Sequence, residues 1–278
     1  MSEPGAVTTP SVSPSLRAPS RTEIFRALLE ADFTVQLRNN RALLLSFALP
    51  LVLLYGLFAN KRGVALGDPQ FRIASALSLG MVSIAILGYS MTVARDREKG
   101  VFQRLRVTPA PTWTIMASRL LVQVAAILLM AVVLLVAAKL FVGYTVFQNA
   151  DSGSPGAEDY SVAYLLTFVC VIFSSALFLS VGQALAGLVK SADTLSAVGR
   201  IAYLPLFTLG LFGHSTVFGT TFELISRWSP GGTVETLLSG AMDPSSWNGD
   251  TWLALAVSAA YSVFFAGIGI RWFQWGAR

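Results

Sequence analysis

Six stretches of this chain contain no Asp, Glu, Lys, Arg or His at all: residues 43–59, 73–94, 120–138, 162–189, 201–213 and 251–270. A water-soluble domain has to cover its surface with charge, so uncharged runs of this length fix the solvent as a bilayer. A helix rises about 1.5 Å per residue and a hydrocarbon core is about 30 Å thick, so about 20 apolar residues suffice to cross. Extended to their polar limits, the runs predict six spans at about 42–59, 73–94, 115–141, 162–189, 194–213 and 251–270. The fifth carries Arg200 in one third and Pro205 at its middle. Proline removes a backbone hydrogen bond, so a kinked or short helix is expected there.

Sidedness follows from the basic residues. With the N-terminus inside, 15 of the 20 Lys and Arg residues fall on the cytoplasmic side, and only Lys61, Arg62, Arg72, Lys139 and Arg227 fall outside. That bias places both termini in the cytoplasm. Trp113, Trp272 and Trp275 then mark the inner interface, and Trp228, Trp247 and Trp252 the outer one. The net charge of +5 tracks membrane sidedness rather than a nucleic-acid partner.

The first 19 residues, rich in Ser, Pro and Thr and without an apolar core, predict a disordered cytoplasmic tail and no cleaved signal. Ser20-Arg21-Thr22-Glu23 then reads as a capping box. Ile24, Leu28, Ala31 and Val35 recur at helical spacing among Arg21, Arg26, Arg38 and Arg41, which predicts an amphipathic helix over 20–41 lying on the inner leaflet. A surface anchor and a partner contact fit it equally well. On the outer side, two short apolar pieces, 217–225 and 233–238, flank Ser229-Pro230-Gly231-Gly232. Pro and paired Gly force a turn, so residues 214–249 read as a re-entrant helical hairpin packed on the fifth and sixth spans, or else as a plain outer loop.

Between the second and third spans, residues 95–111 read RDREKGVFQRLRVTPAP, the one strongly charged island in the middle of the chain. It predicts a short cytoplasmic helix held against the membrane by the spans beside it and suited to receive force from a soluble partner. Val101, Phe102 and Leu105, at i, i+1 and i+4, would share one face. Thr108-Pro109 should end the helix, because the residue before proline disfavours it. Glu98 is placed to pair with a cation or to cap this helix. An ordinary charged loop would also satisfy the charge bias.

Much chemistry is missing. Cys170 and His214 are each the only residue of their type, which excludes an intrachain disulfide and a cysteine-clustered metal site. No catalytic constellation, metal set or nucleotide site can be assembled. Gly182 and Gly187 have phosphate-loop spacing, but Leu188-Val189 stands where Lys-[Ser/Thr] is required. Ion-coupled carriers and intramembrane enzymes place ionisable groups at mid-depth. A secondary transporter, a channel or an intramembrane transferase is therefore the weaker alternative to a permease driven by another chain.

Taken together, these residues resemble a known family. Six spans over 42–275, the interfacial helix, Glu98-Lys99-Gly100 with Leu105-Arg106-Val107-Thr108-Pro109 after the second span, and the Ser229-Pro230-Gly231-Gly232 hairpin look like the permease subunit of type 2 ATP-binding-cassette exporters. Relatives include daunorubicin-resistance-like and polysaccharide-exporter-like permeases. The resemblance covers about residues 20–275, and the usual Asn-Pro start of the hairpin turn is Ser-Pro here. It implies an all-α integral membrane protein of the cytoplasmic membrane, itself not an enzyme and binding no cofactor. ATP and Mg²⁺ would sit on a separate ATPase subunit, present in two copies, and a second permease subunit would complete the path for an amphipathic, drug-like, lipid-like or glycan-linked substrate. It also implies that 95–111 is the coupling helix, with Glu98, Gly100, Val101, Phe102, Leu105, Thr108 and Pro109 as its ATPase contact. The second and fifth spans would line the path, where Tyr89, Ser90, Arg200, Tyr203 and Phe207 could face a cavity or simply pack between helices.

Overall fold

A computed structural model describes residues 20–38, 40–59, 68–106, 112–142, 157–212 and 219–272. The tail expected over 1–19, Thr108, Pro109 and the outer loop between the third and fourth spans lie outside the described residues. All regular structure among them is helical. In chain order the helices are α1 (Arg21–Arg38), α2 (Asn40–Ala59), α3 (Pro69–Glu98), α4 (Val101–Arg106), α5 (Thr112–Ala137, continued by the π-helical turn Ala138–Val142), α6 (Ala157–Leu188), α7 (Ala192–Leu211), α8 (Thr220–Arg227), α9 (Pro230–Met242) and α10 (Gly249–Arg271). Five of these are long and apolar enough to cross a membrane: α3, α5, α6, α7 and α10. The first expected span corresponds to α2, whose apolar stretch, Ser46–Ala59, is shorter than the others.

Local chemistry explains where the helices begin. The capping box forms at α1, where the Ser20 N–H donates to Glu23 Oε2 at 2.7 Å and the Glu23 N–H donates back to Ser20 Oγ at 3.2 Å. Ser191 and Asn248 cap α7 and α10 one way only, their side-chain oxygens accepting backbone N–H groups of the first turn. Inside the apolar helices, several buried hydroxyls bond to the carbonyl a turn earlier, as Ser75 does to Phe71 and Thr167 to Ala163. α7 runs unbroken through Pro205 for 20 residues, with the Thr208 hydroxyl bonded to the Leu204 carbonyl in the turn after it.

α3 is the centre of the molecule. Of its most apolar window 83% is buried, against 17% for α7 and for α10. Residues 83–90 of α3 are wound as a π-helix, a wider turn that the sequence did not announce. α9 is nearly as central, with every residue buried except Pro230 and Ser239. The hairpin was expected to pack on the fifth and sixth spans. It does touch α7 and α10, but α9 also lies against α3 and α6, which makes the second arm an interior element.

The Ser-Pro-Gly-Gly turn is what lets α9 in. Ser229 Oγ accepts from the Gly232 N–H at 3.1 Å and Pro230 takes the first helical position, where a missing N–H costs nothing. A Cβ on Gly231 would stand 2.2 Å from the Leu206 carbonyl oxygen of α7. Gly231→Ala is therefore expected to force the two helices apart and cost at least about 2 kcal/mol, as overpacking of a tight core does. A lowered midpoint of thermal unfolding in detergent would show it, and a wild-type midpoint would contradict the packing described.

Candidate functional site

The charged island is split by a corner. Arg95 through Glu98 are the last turn of α3, so the helix expected over 95–111 begins only after Gly100. Gly100 has φ +68°, a left-handed backbone that glycine adopts without a Cβ penalty, and its N–H donates to the Arg97 carbonyl at 3.1 Å. The glycine, rather than the onset of charge, sets the boundary. α4 then runs for six residues, and 107–111 lie outside the described residues.

Two clasps fix this corner. In the first, Arg97 is buried and its guanidinium donates to the Ala186, Val189 and Lys190 carbonyls at 2.7, 2.5 and 3.0 Å, closing the C-terminal end of α6. Next to it Glu98 Oε1 accepts from the Ala192 N–H at 2.6 Å, at the start of α7. A cation on carbonyl ends and an anion on amide ends both suit the helix dipoles. Glu98 does cap a helix, but α7 rather than the short helix after it. The short break between α6 and α7 is thus held by two consecutive residues of α3.

The second clasp lies on the other side. Phe102 of α4 is fully buried, and the Arg119 guanidinium of α5 lies over its ring, 4.7 Å from the centroid. Arg119 Nη1 is 2.7 Å from Asp96 Oδ2 of α3, and its Nε is 4.0 Å from Asp32 Oδ1 of α1. Asp32 Oδ2 also accepts from Ser118 Oγ at 2.6 Å. Burial pushes the Asp32 carboxyl above its ordinary value, with the Ser118 bond and Arg119 pulling the other way. One guanidinium therefore ties α1, α3, α4 and α5 together. A cation–π contact of this desolvated kind contributes about 2 kcal/mol.

The expectation that Phe102 would enter a partner's groove does not fit this placement, because its ring is enclosed by its own chain. Spacing identified an apolar face but not what covers it. Val101 is half-buried, lining a chamber between α1, α3 and α5, and Leu105 sits in α4 with its side chain outside the described residues. The surface that the corner presents is polar: Arg95, Glu98, Lys99, Gln103 and Arg104 are exposed.

The expected path residues divide. Tyr89 and Ser90 are buried in the π-helical segment, with the Tyr89 hydroxyl donating to Gln183 Oε1 and the Ser90 hydroxyl bonded to the Ile86 carbonyl. Both are buried within this chain, and Tyr89 also lines a chamber between α1, α3 and α5. Arg200 is exposed on α7 and folded back on Ser196 at 2.7 Å, while Tyr203 and Phe207 are half-buried. Ile201 and Leu204 beside them are 74% and 63% exposed, which leaves a face of α7 uncovered by the other described residues.

Sequence reasoning did not single out Arg97, Arg119, Asp96 or Asp32. Their signal was present as charge at helix ends, but the partners lie on other helices, up to 93 residues away for Arg97 and Lys190. Glu235, inside the apolar piece 233–238, was given no role by sequence reasoning either. It is completely buried, and its Oε2 accepts from Ser75 Oγ of α3 at 3.0 Å.

A family model described as ABC-2 type transporter matches residues 23–231 of the chain. No curated protein matches it.

Proposed function

This chain belongs to the ABC-2 type transporter family, a membrane transport component and not a catalytic domain, and on that premise we propose that it is the permease subunit of an ATP-driven exporter. Two such subunits enclose the path and each engages a separate ATPase, which binds ATP and Mg²⁺. The substrate is amphipathic, drug-like, lipid-like or glycan-linked, and it crosses the cytoplasmic membrane by alternating access. The uncovered face of α7, with Arg200, Tyr203 and Phe207, meets the second permease or the path.

The observation that carries this reading is the double clasp at Gly100. A push on α4 reaches α5 and α1 through Phe102 and Arg119, and reaches the α6–α7 corner through Arg97 and Glu98. A loop that served only as a connection would not need to be tied to four other helices. The ATPase docks on the exposed rim of Arg95, Lys99, Gln103 and Arg104, with Phe102 as the internal strut behind it.

For the topology, α2 at 20 residues is about 30 Å long and serves as the sixth crossing. Both termini and the Gly100 corner are then cytoplasmic, and α8 and α9 form the outer hairpin. Single cysteines at Gln103 and Ser154, in a chain with Cys170 replaced, test this in intact cells. Ser154 should react with an impermeant thiol reagent and Gln103 should not. Labelling of Gln103 from outside would reverse the assignment of the corner to the ATPase side.

A further inference from the structure

Two cavities meet beneath α1. One is a trough of about 520 Å³ between α1, α2 and α5, walled by Phe33, Leu37, Leu44, Phe47 and Leu129 among others and almost wholly apolar. The other is a chamber of about 300 Å³ between α1, α3, α4 and α5, into which Asp32, Asp96, Arg119 and Gln123 are set. Gln36 and Val122 line both. Along α5 the chamber takes Arg119 and Gln123, at the end nearest the Gly100 corner, whereas the trough takes Ala125, Ala126 and Leu129, further into the membrane. A polar head at the interface and an apolar tail at depth is the shape of a phospholipid.

The charges select the head. Two carboxylates, Asp32 and Asp96, face one guanidinium, so the chamber holds one acid more than it can pair internally. Arg119 Nη1 lies 2.7 Å from Asp96 Oδ2 and the guanidinium covers the Phe102 ring, while its Nε and Nη1 make no hydrogen bond and are left as donors for the phosphate that joins the head to the acyl chains. Gln123 gives the second, independent sign. It is only 5% exposed, its Nε2 donates to Gln36 Oε1 at 3.2 Å, and its own Oε1 accepts nothing. A buried amide oxygen without a donor is costly, so a donor is expected to fill the place. The complement of an excess carboxylate and an unpaired amide oxygen is a cation that carries N–H groups.

We propose that this paired cavity is a binding site for a phospholipid of the leaflet that carries α1, with one acyl chain in the trough and a primary ammonium head between Asp32, Asp96 and Gln123. A quaternary ammonium has the charge but no N–H for Gln123, and an acidic head meets the surplus carboxylate. The lipid would sit against α1 and Arg119 and so bear on the second clasp without being the transported substrate.

Native mass spectrometry of the purified full chain in detergent tests this with dioleoyl lipids offered in equal amounts: phosphatidylethanolamine, its N-monomethyl and N,N-dimethyl forms, phosphatidylcholine and phosphatidylglycerol. Retention should fall stepwise as N–H groups are removed, with phosphatidylethanolamine held about tenfold over phosphatidylcholine, the effect of one hydrogen bond to a charged group. Gln123→Leu should bring the two to the same level, and Ala125→Trp, at an exposed position on the trough, should lower retention of all five. Equal retention of the ethanolamine and choline lipids by the wild-type chain would overturn the proposal. So would preference for phosphatidylglycerol, or an unchanged ethanolamine preference in a folded Gln123→Leu. The methylation series needs only wild-type protein, so the result stands even where a variant does not fold.

Discussion

Phe102→Ala is expected to lose both fold stability and transport, whereas Arg104→Ala, two residues away, should lose transport alone. Truncating a fully buried phenylalanine removes its contacts and leaves a cavity, at a cost of about 3 kcal/mol. Here the cavity opens beneath the Arg119 guanidinium, which keeps Asp96 but loses the ring it covers. α4 has six residues and cannot persist on its own helix propensity, so without this anchor it should detach from α5. Arg104 is exposed, and its removal should leave the thermal midpoint unchanged. Unfolding midpoints of the two purified variants, with substrate-stimulated ATP hydrolysis of the assembled complex, separate the cases. An unaltered midpoint for Phe102→Ala would mean that the ring is free to serve a partner, as its spacing in the sequence first suggests.

The second large effect is expected at Arg97. Its side chain holds three carbonyls at the end of α6, and bonds made by a charged donor contribute about 1.5–3 kcal/mol each when buried. Water can replace part of this at a helix end, so Arg97→Ala should cost about 3 kcal/mol in total. Arg97→Lys should recover little, because a single ammonium does not reproduce the planar fork that reaches Ala186, Val189 and Lys190 together. Glu98→Gln, in contrast, keeps an oxygen for the Ala192 N–H and should be mild. The functional consequence is uncoupling: with the α6–α7 corner released, ATP hydrolysis continues while substrate movement stops. Loss of both activities in proportion, or of neither, would speak against a mechanical role for this clasp.

What the sequence made legible follows periodicity and local chemistry. The uncharged runs located α3, α5, α6, α7 and α10 to within a few residues, and Ser20-Arg21-Thr22-Glu23 located the start of α1, because each signal lies within a turn or two of the element it specifies. The hairpin was visible for the same reason, in Pro230 and its two glycines. Its depth was not, since the Gly231 approach to Leu206 and the Glu235 bond to Ser75 join parts of the chain 25 and 160 residues apart. The candidate site shows the same limit. Gly100 was named as part of the motif, yet the helix boundary was drawn at the first charge, and a positive φ cannot be read from charge. Phe102 was assigned to a partner because an apolar face on a short helix must be covered by something, and spacing is silent about whether that is another chain or Arg119 of this one. The π-helical segment over 83–90 left no mark in its residues at all.

The account turns on whether force enters this permease from an ATPase at the Gly100 corner, and co-purification measures that most directly. The tagged chain, solubilised from native membranes in mild detergent, should retain an ATPase bearing a phosphate-loop sequence. The charge-reversed pair Lys99→Glu with Arg104→Glu, both at exposed positions, should release that ATPase while the permease keeps its abundance and unfolding midpoint. A chain that purifies without any ATPase and still moves solute in vesicles on an ion gradient would contradict it.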